Sequence, residues 1–412
     1  MTKQIFGAIE FAEREVRLIV GEYFNTRFNI IKVESCPCTG ILDFAITNKE
    51  EVARSVKEVI TKATEHIGAD IERLILIIPS VDFKRYPLKV SVMTNNGVVK
   101  KEDVVHAIKN AMKTEIDHNI LIVNPVCVKY TCNGISYRRI PEREICDNLV
   151  VDIDLLCANK NIAYDYVTLL EELGIEVLDI SLDMYAICKE AALFERTVNK
   201  NIILIKADYN TTNLALISKG KLVNCDILYN GLSDIMEVVA NKYHLPLSAI
   251  DRLVKYNVNL DLDEKSKGAI FAWKSTDEVS HTISEYDLSI LIRSSLLQYV
   301  NKIKEACLPI LEAADTDIFL VGEGAEMLCL PELIKKYTKV STEKYIPETI
   351  GARESKYCAL LGSIYGHKDL VDINNDLTSS INLLKFNDVI EKKAEGEENL
   401  SFTTRVRNLF DL

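Results

Sequence analysis

No apolar run in this 412-residue chain is long enough to cross a bilayer, for which a helix needs about 20 residues; the longest runs are short pieces such as "LILII" at positions 74–78. Any contact with a membrane would be made by lying on its surface. A signal peptide is also missing, because the N-terminus "MTKQIFGAIEF" is short, mixed and soon charged. A reducing cytoplasm is the expected setting. The 11 cysteines include no C-x-x-C pair, and Cys36 and Cys38 in "SCPCTG" flank a proline in a turn-forming stretch, with no histidine spaced to complete a zinc site. Positive charge is in deficit, 49 Lys and Arg against 61 Asp and Glu, and the net charge of -12 excludes wholesale binding to a polyanion such as nucleic acid.

With 48% hydrophobic and 27% charged residues, the composition is that of a folded globular protein. Its length calls for two or more domains. Three β-rich runs come first, "QIFGAIEF", "EVRLIVGEYF" and "FNIIKVESC", separated by turns near Ala12–Arg14 and Asn25–Arg27. The next stretch, "NKEEVARSVKEVITKATEHIG", sets Val52, Val56, Val59, Ile60 and Ala63 on one helical face and stops at Gly68. A buried strand, "RLILIIP", follows.

The same order returns in the second part of the chain. "NIILIKAD", "TTNLALIS" and "KLVNCDIL" form another meander, with "SKGK" as its second turn, followed by the amphipathic "LSDIMEVVANKY". Beyond them "TDIFLVGEGAE" is a strand running into a glycine turn, and "LPELIKKY" a helix. One strand–strand–strand–helix–strand unit used twice predicts two similar halves facing a cleft. The expected fold is α/β, each half a three-strand meander extended by parallel strands. Residues 1–80 and 160–198 make the first half; an inserted α+β subdomain spans 81–159, with a hairpin turn at Asn133 and Gly134. The second half covers 199–366, its small subdomain 233–311.

After Gly366 the polar, weakly periodic composition reads as a flexible linker over 367–400. The last residues, 401–412, read as a short amphipathic helix. Phe402, Val406, Leu409 and Phe410 fall on one side, with Arg405, Arg407 and Asn408 toward the other. Such a helix inserts its apolar side among anionic headgroups or docks on the protein's own surface.

In this order the segments resemble the bacterial cell-division FtsA family, whose members are actin-like and anchor FtsZ filaments to the membrane. The resemblance covers almost the whole chain, including the "VGEGAEMLCLPEL" turn and the "YCALLG" stretch at 357–362. It implies a nucleotide cleft, and there the chain departs from the pattern. The family's first phosphate loop reads roughly D-I-G-T-S, whereas Glu10, Phe11, Ala12, Glu13 and Arg14 stand here. The second reads roughly D-I-G-G-G-T-T-D, against Lys206, Ala207, Asp208, Tyr209, Asn210, Thr211, Thr212 and Asn213. The glycines that let backbone N–H groups approach a phosphate are gone, and so are the aspartates that organise magnesium and water. The adenosine motif A-E-x-x-K appears in ungapped register as Ala249, Ile250, Asp251, Arg252 and Leu253.

What survives of a nucleotide site is Glu10, Thr211, Thr212 and the turn of Gly322, Glu323, Gly324 and Ala325. Weak or absent ATP binding and no hydrolysis are expected, with no metal and no catalytic residue. The resemblance further implies that an FtsZ tail docks on a helix of the small subdomain. Arg293 in "LIRSSLLQYV" takes the place of the family's basic residue there, with Lys302 and Lys304 following on the same helix. Self-association and a peripheral place on the cytoplasmic face at the division site are implied with it. Two other classes share the superfamily. A phosphotransferase would need the lost carboxylates and glycines, and a pilus-assembly adaptor generally lacks a separate tail helix.

Overall fold

A computed structural model describes residues 3–25, 27–260, 264–274, 280–374 and 378–387. Lys3–Phe11 (β1), Glu15–Phe24 (β2) and Arg27–Pro37 (β3) form an antiparallel meander. A two-residue hairpin, Ile41–Leu42 (β4) with Ala45–Ile46 (β5), leads to Lys49–Ile67 (α1), after which Arg73–Ile78 (β6) returns parallel to β1. The start and stop of α1 are local chemistry. The Asn48 side chain accepts the Glu51 N–H at 3.1 Å, and Gly68, at φ 78°, returns its own N–H to Thr64 O at 2.8 Å. Val52, Val56, Val59, Ala63 and Ile67 are buried under the sheet, the valines and isoleucine each contributing roughly 1.5–3 kcal/mol.

The inserted unit follows: Lys84–Met93 (β7), Lys101–Ala111 (α2), Ile120–Cys132 (β8), Ile135–Tyr137 (β9) and Asn148–Asn159 (β10), in a sheet of order β7-β10-β8-β9. Lys160–Glu172 (α3) returns the chain to the first sheet. There Glu176–Leu182 (β11) adds an edge strand, giving the order β11-β6-β1-β2-β3. Asp183–Glu190 (α4) and Leu193–Arg196 (α5) cross to the second half.

That half repeats the scheme. Asn201–Ala207 (β12), Thr212–Ser218 (β13) and Lys221–Leu228 (β14) form its meander, and Ser233–Tyr243 (α6) and Leu247–Tyr256 (α7) follow. Next come Ala269–Lys274 (β15), Ser280–Ser284 (β16) and the long helix Glu285–Ala313 (α8). Thr316–Val321 (β17) then pairs parallel with β12. Leu330–Thr338 (α9) and Thr342–Lys344 (β18) complete the sheet β14-β13-β12-β17-β18. Because side chains alternate along β12, Ile202 and Leu204 join the core of the first half, whereas Ile203, Ile205 and Ala207 join the core under α6, α7 and α8. One sheet therefore serves two cores.

The last helix, Cys358–Asn374 (α10), crosses back and lies against α4. A Cβ on Gly362 would stand 1.7 Å from Ala186 O, so only glycine lets these two backbones touch. The flexible linker expected from residue 367 is corrected here. Residues 367–374 are helical, and 378–387 pack onto the base of β1. Since β6 begins only at Arg73, the first residues of β1 lack a neighbour on that side, and serines supply the missing bonds. Ile5 N–H donates to Ser379 Oγ at 2.8 Å, Gly7 N–H to Ser380 Oγ at 2.7 Å, and Ser380 N–H to Ile5 O at 2.8 Å. Ser380 O accepts from Glu72 and Arg73, and Ile381 and Phe386 are buried, with Lys3 Nζ 4.6 Å from the Phe386 ring centre.

A chain ending at Asn374 should lose this strap and about 3–6 kcal/mol of stability, from two large apolar side chains and several backbone bonds. One ending at Asn387 should unfold like the full chain. Urea midpoints of the three chains make the comparison.

Candidate functional site

The register of the first hairpin puts Glu10 of β1 opposite Arg17 of β2. Both are almost wholly buried, and Arg17 Nη1 lies 3.3 Å from Glu10 Oε2. The same guanidinium reaches Glu15 at 2.6 Å and Glu323, in the turn after β17, at 3.3 Å. Lys206 is the next member of this network. By alternation it shares the face of Ile202 and Leu204, so it points out of the second sheet into the first half. Its ammonium stands 3.1 Å from Glu10, 3.3 Å from Asp183 at the start of α4, and 3.4 Å from Asp208. Asp183 is itself held in place, its other oxygen accepting Ser80 N–H at 3.0 Å, Ser80 Oγ–H at 2.7 Å and Met184 N–H at 2.7 Å.

The β1–β2 turn closes the front of the cleft. Glu13 Oε2 accepts the Asn210 N–H at 2.5 Å, and its Oε1 accepts the Thr211 hydroxyl at 2.6 Å. Arg14 pairs with Glu323, approaches Asp251 to 3.7 Å and lies over the Tyr209 ring, 4.1 Å from its centre. Lys255 bridges Asp251 at 3.1 Å and Glu326 at 3.4 Å behind it.

Burial alone would raise the Glu10 carboxyl, but Lys206 and Arg17 outweigh it and hold it below its ordinary value. Burial would likewise lower Lys206, yet Glu10, Asp208 and Asp183 push it well above the usual lysine range. Glu13 goes the other way: burial, then the neighbouring Asp208, raises it to about 7. Asp208 is raised as well, by burial first, and its Oδ1 has no hydrogen-bond partner within the protein.

Of the residues expected to remain from a nucleotide site, the structure brings all together, and all are engaged with the chain itself. Glu10 and Glu323 neutralise Arg17, and Thr211 serves Glu13. Thr212 Oγ1 lies 2.8 Å from both Asn230 O and the Tyr299 hydroxyl. Gly322 N–H donates to Ser355 Oγ at 3.0 Å, and Gly324 and Ala325 are buried in the turn. The cavity left between Glu10, Ala12, Glu13, Asp183, Lys206 and Asp208 is about 20 Å³. That is room for about one water, against roughly 300–1,000 Å³ for small-molecule sites. In this conformation the cavity has no room for a nucleotide, and the carboxylates around it repel an anion. Among the described residues no group of three or more acidic, His or Cys side chains is placed to hold a metal. A larger cavity of about 850 Å³ lies away from the cleft, between β8, α10 and the β13–β14 turn, and none of the expected site residues lines it.

The other expected sites are surface features. Arg293 and Lys302 on α8 are exposed and Lys304 half-buried, with no ion pair to any of them among the described residues. At ~100° per residue, Arg293 and Lys304 share a side of α8 while Lys302 faces opposite. Phe402, Arg405, Val406, Arg407, Leu409 and Phe410 lie outside the described residues, of which no helix is long and apolar enough to cross a membrane. Sequence reasoning missed Arg17, Asp183 and Lys255 as members of the cleft. Arg17 had a signal, because a tight turn at Ala12–Arg14 sets it across from Glu10.

The paired halves and the cleft between them define an actin-like fold. The solved PilM–PilN type IV pilus biogenesis complex aligns with a TM-score of 0.58 at 12% identity, over 88% of this chain and 98% of that one. MreB5 of Spiroplasma citri bound to AMPPNP aligns at 0.52 and 13% identity, over 90% and 98%. No family model matches the chain. In sequence it is FtsA-like: the cell division protein FtsA of Bacillus subtilis (strain 168) is 21% identical over 369 residues, 88% of this chain and 83% of that protein.

Replacing Lys206 by Met should destabilise the protein by about 3–5 kcal/mol, since three buried carboxylates lose their shared cation; denaturant unfolding measures it. A second expectation concerns pH. Glu13 keeps its proton to about 7 in the folded chain against 4.5 when unfolded, so its contribution is present below about 4.5 and lost as pH rises through 7. Glu190, also raised to about 7 by burial, adds the same slope. In Glu13→Gln the fall in stability between pH 5 and 8 should shrink by at most about 3 kcal/mol.

Proposed function

We propose that this protein is a cell-division scaffold that links FtsZ filaments to the cytoplasmic membrane and works without turning over ATP. The observation that carries the reading is the cleft. In a chain that is FtsA-like over most of its length, a lysine and two arginines of the chain itself occupy the place that nucleotide and magnesium would need. A body of that kind grips partners. Arg293, exposed on α8 with Lys304 on the same side, would hold an acidic, apolar peptide by charge-assisted bonds. The amphipathic residues 401–412 supply the contact with anionic lipid. One short helix binds lipid weakly, and copies aligned along a filament raise the effective concentration until the contact holds.

A pilus-assembly adaptor would share the fold, and the two readings part on the tail and on the filament partner. The deciding experiment is liposome cosedimentation of the full chain and of a chain ending at Asn399, with and without FtsZ, beside Arg293→Glu. The full chain should pellet with anionic vesicles and carry FtsZ with it; the shortened chain should stay in solution, and Arg293→Glu should pellet alone. Equal pelleting of the full and shortened chains, or a Mg-ATP dissociation constant in the low micromolar range, overturns the proposal.

A further inference from the structure

Two consecutive residues of the first half reach across the cleft and satisfy groups of opposite character on the second. Glu13 offers a carboxylate to an N–H and a hydroxyl of the β12–β13 turn, Asn210 N at 2.5 Å and Thr211 Oγ1 at 2.6 Å. Arg14 offers a guanidinium to Glu323 and Asp251 and to the face of Tyr209. A carboxyl group on turn donors and a cation on carboxylates and a ring are the two halves of how a polar ligand would be held there.

We propose that the β1–β2 turn is a built-in ligand: Glu13 and Arg14 form a clasp that keeps the two actin-like halves closed with nothing bound between them. The clasp is intramolecular, so it is always at hand, and closure costs no loss of translational freedom. Thr211 is nearly inaccessible, which fits a turn that is covered rather than waiting for a solute. The inference concerns the conformation of the body and stands whichever partner that body binds.

The test is an inter-half distance measured in the full chain by electron–electron double resonance. Spin-labelled unnatural amino acids go in place of exposed Lys62 of α1 and exposed Lys336 of α9, which avoids the 11 native cysteines. Amide exchange at Asn210 is read alongside. The wild-type chain should show one narrow distance, unchanged by excess Mg-ATP. Glu13→Ala should broaden and shift it and speed exchange at Asn210 by about tenfold, the scale of one lost buried hydrogen bond. Glu13→Gln, which keeps an acceptor for the Asn210 N–H, should restore part of both signals. Should Glu13→Ala fail to fold, Thr211→Val removes one donor at constant volume and should shift both readouts the same way by less. Unchanged distance and exchange in a folded Glu13→Ala chain, or in Thr211→Val where that is the variant available, overturns the clasp. So does a wild-type chain that narrows only when Mg-ATP is added.

Discussion

An ammonium group sealed from water must be surrounded by negative charge, and Lys206 meets that demand from both sides of the cleft. Glu10 and Asp183 come from the first half and Asp208 from its own. Leaving any of these charges buried and alone would cost several kcal/mol, far more than a surface pair contributes. The halves are therefore held at the separation that keeps Lys206 among its three partners. Arg17 extends the same constraint to the turn after β17 through Glu323, and Lys356, in the turn just before α10, joins it by pairing with Glu15 at 3.2 Å. A buried ion network need not raise stability over an apolar core of equal volume. What it does is select one arrangement, because every other places a charge against hydrocarbon.

Most of the fold was legible because its signals are local. The face of α1, its Asn48 start and its Gly68 stop all lie within about twenty residues, and the two meanders announce themselves by β-rich runs of strand length. Residues 378–387 defeat that kind of reading. Their serines and asparagines have the composition of a linker, yet Ser379 and Ser380 complete the hydrogen bonding of a strand more than 370 positions away. Nothing local tells a serine that faces water from one that replaces a missing strand.

The candidate site divides along the same line. That the turns at 12–14 and 208–211 carry no glycine could be read directly, since those are facts about identity at single positions. That the gap would be filled from within could not, because the filling joins Glu10, Arg17, Asp183, Lys206 and Glu323 from five separate segments. Glu13 makes the point most sharply. As an isolated residue it reads as an anion that repels phosphate; in three dimensions its carboxyl oxygens accept a backbone N–H and a hydroxyl of the facing turn.

A fold is a poor guide to chemistry, since function resides in the site set upon it. Here the actin-like sheets and the crossing of α4 and α10 surround a cleft filled by the chain's own charges, and those charges are mutually consistent. Lys206 stands where Glu10, Asp183 and Asp208 converge, and those buried carboxylates need a cation between them. Glu13, a poor neighbour for an anion, accepts the Asn210 N–H and the Thr211 hydroxyl instead. Each charge in this set depends on the others, so replacing Lys206 or Glu10 alone would strand a buried partner without its counter-charge.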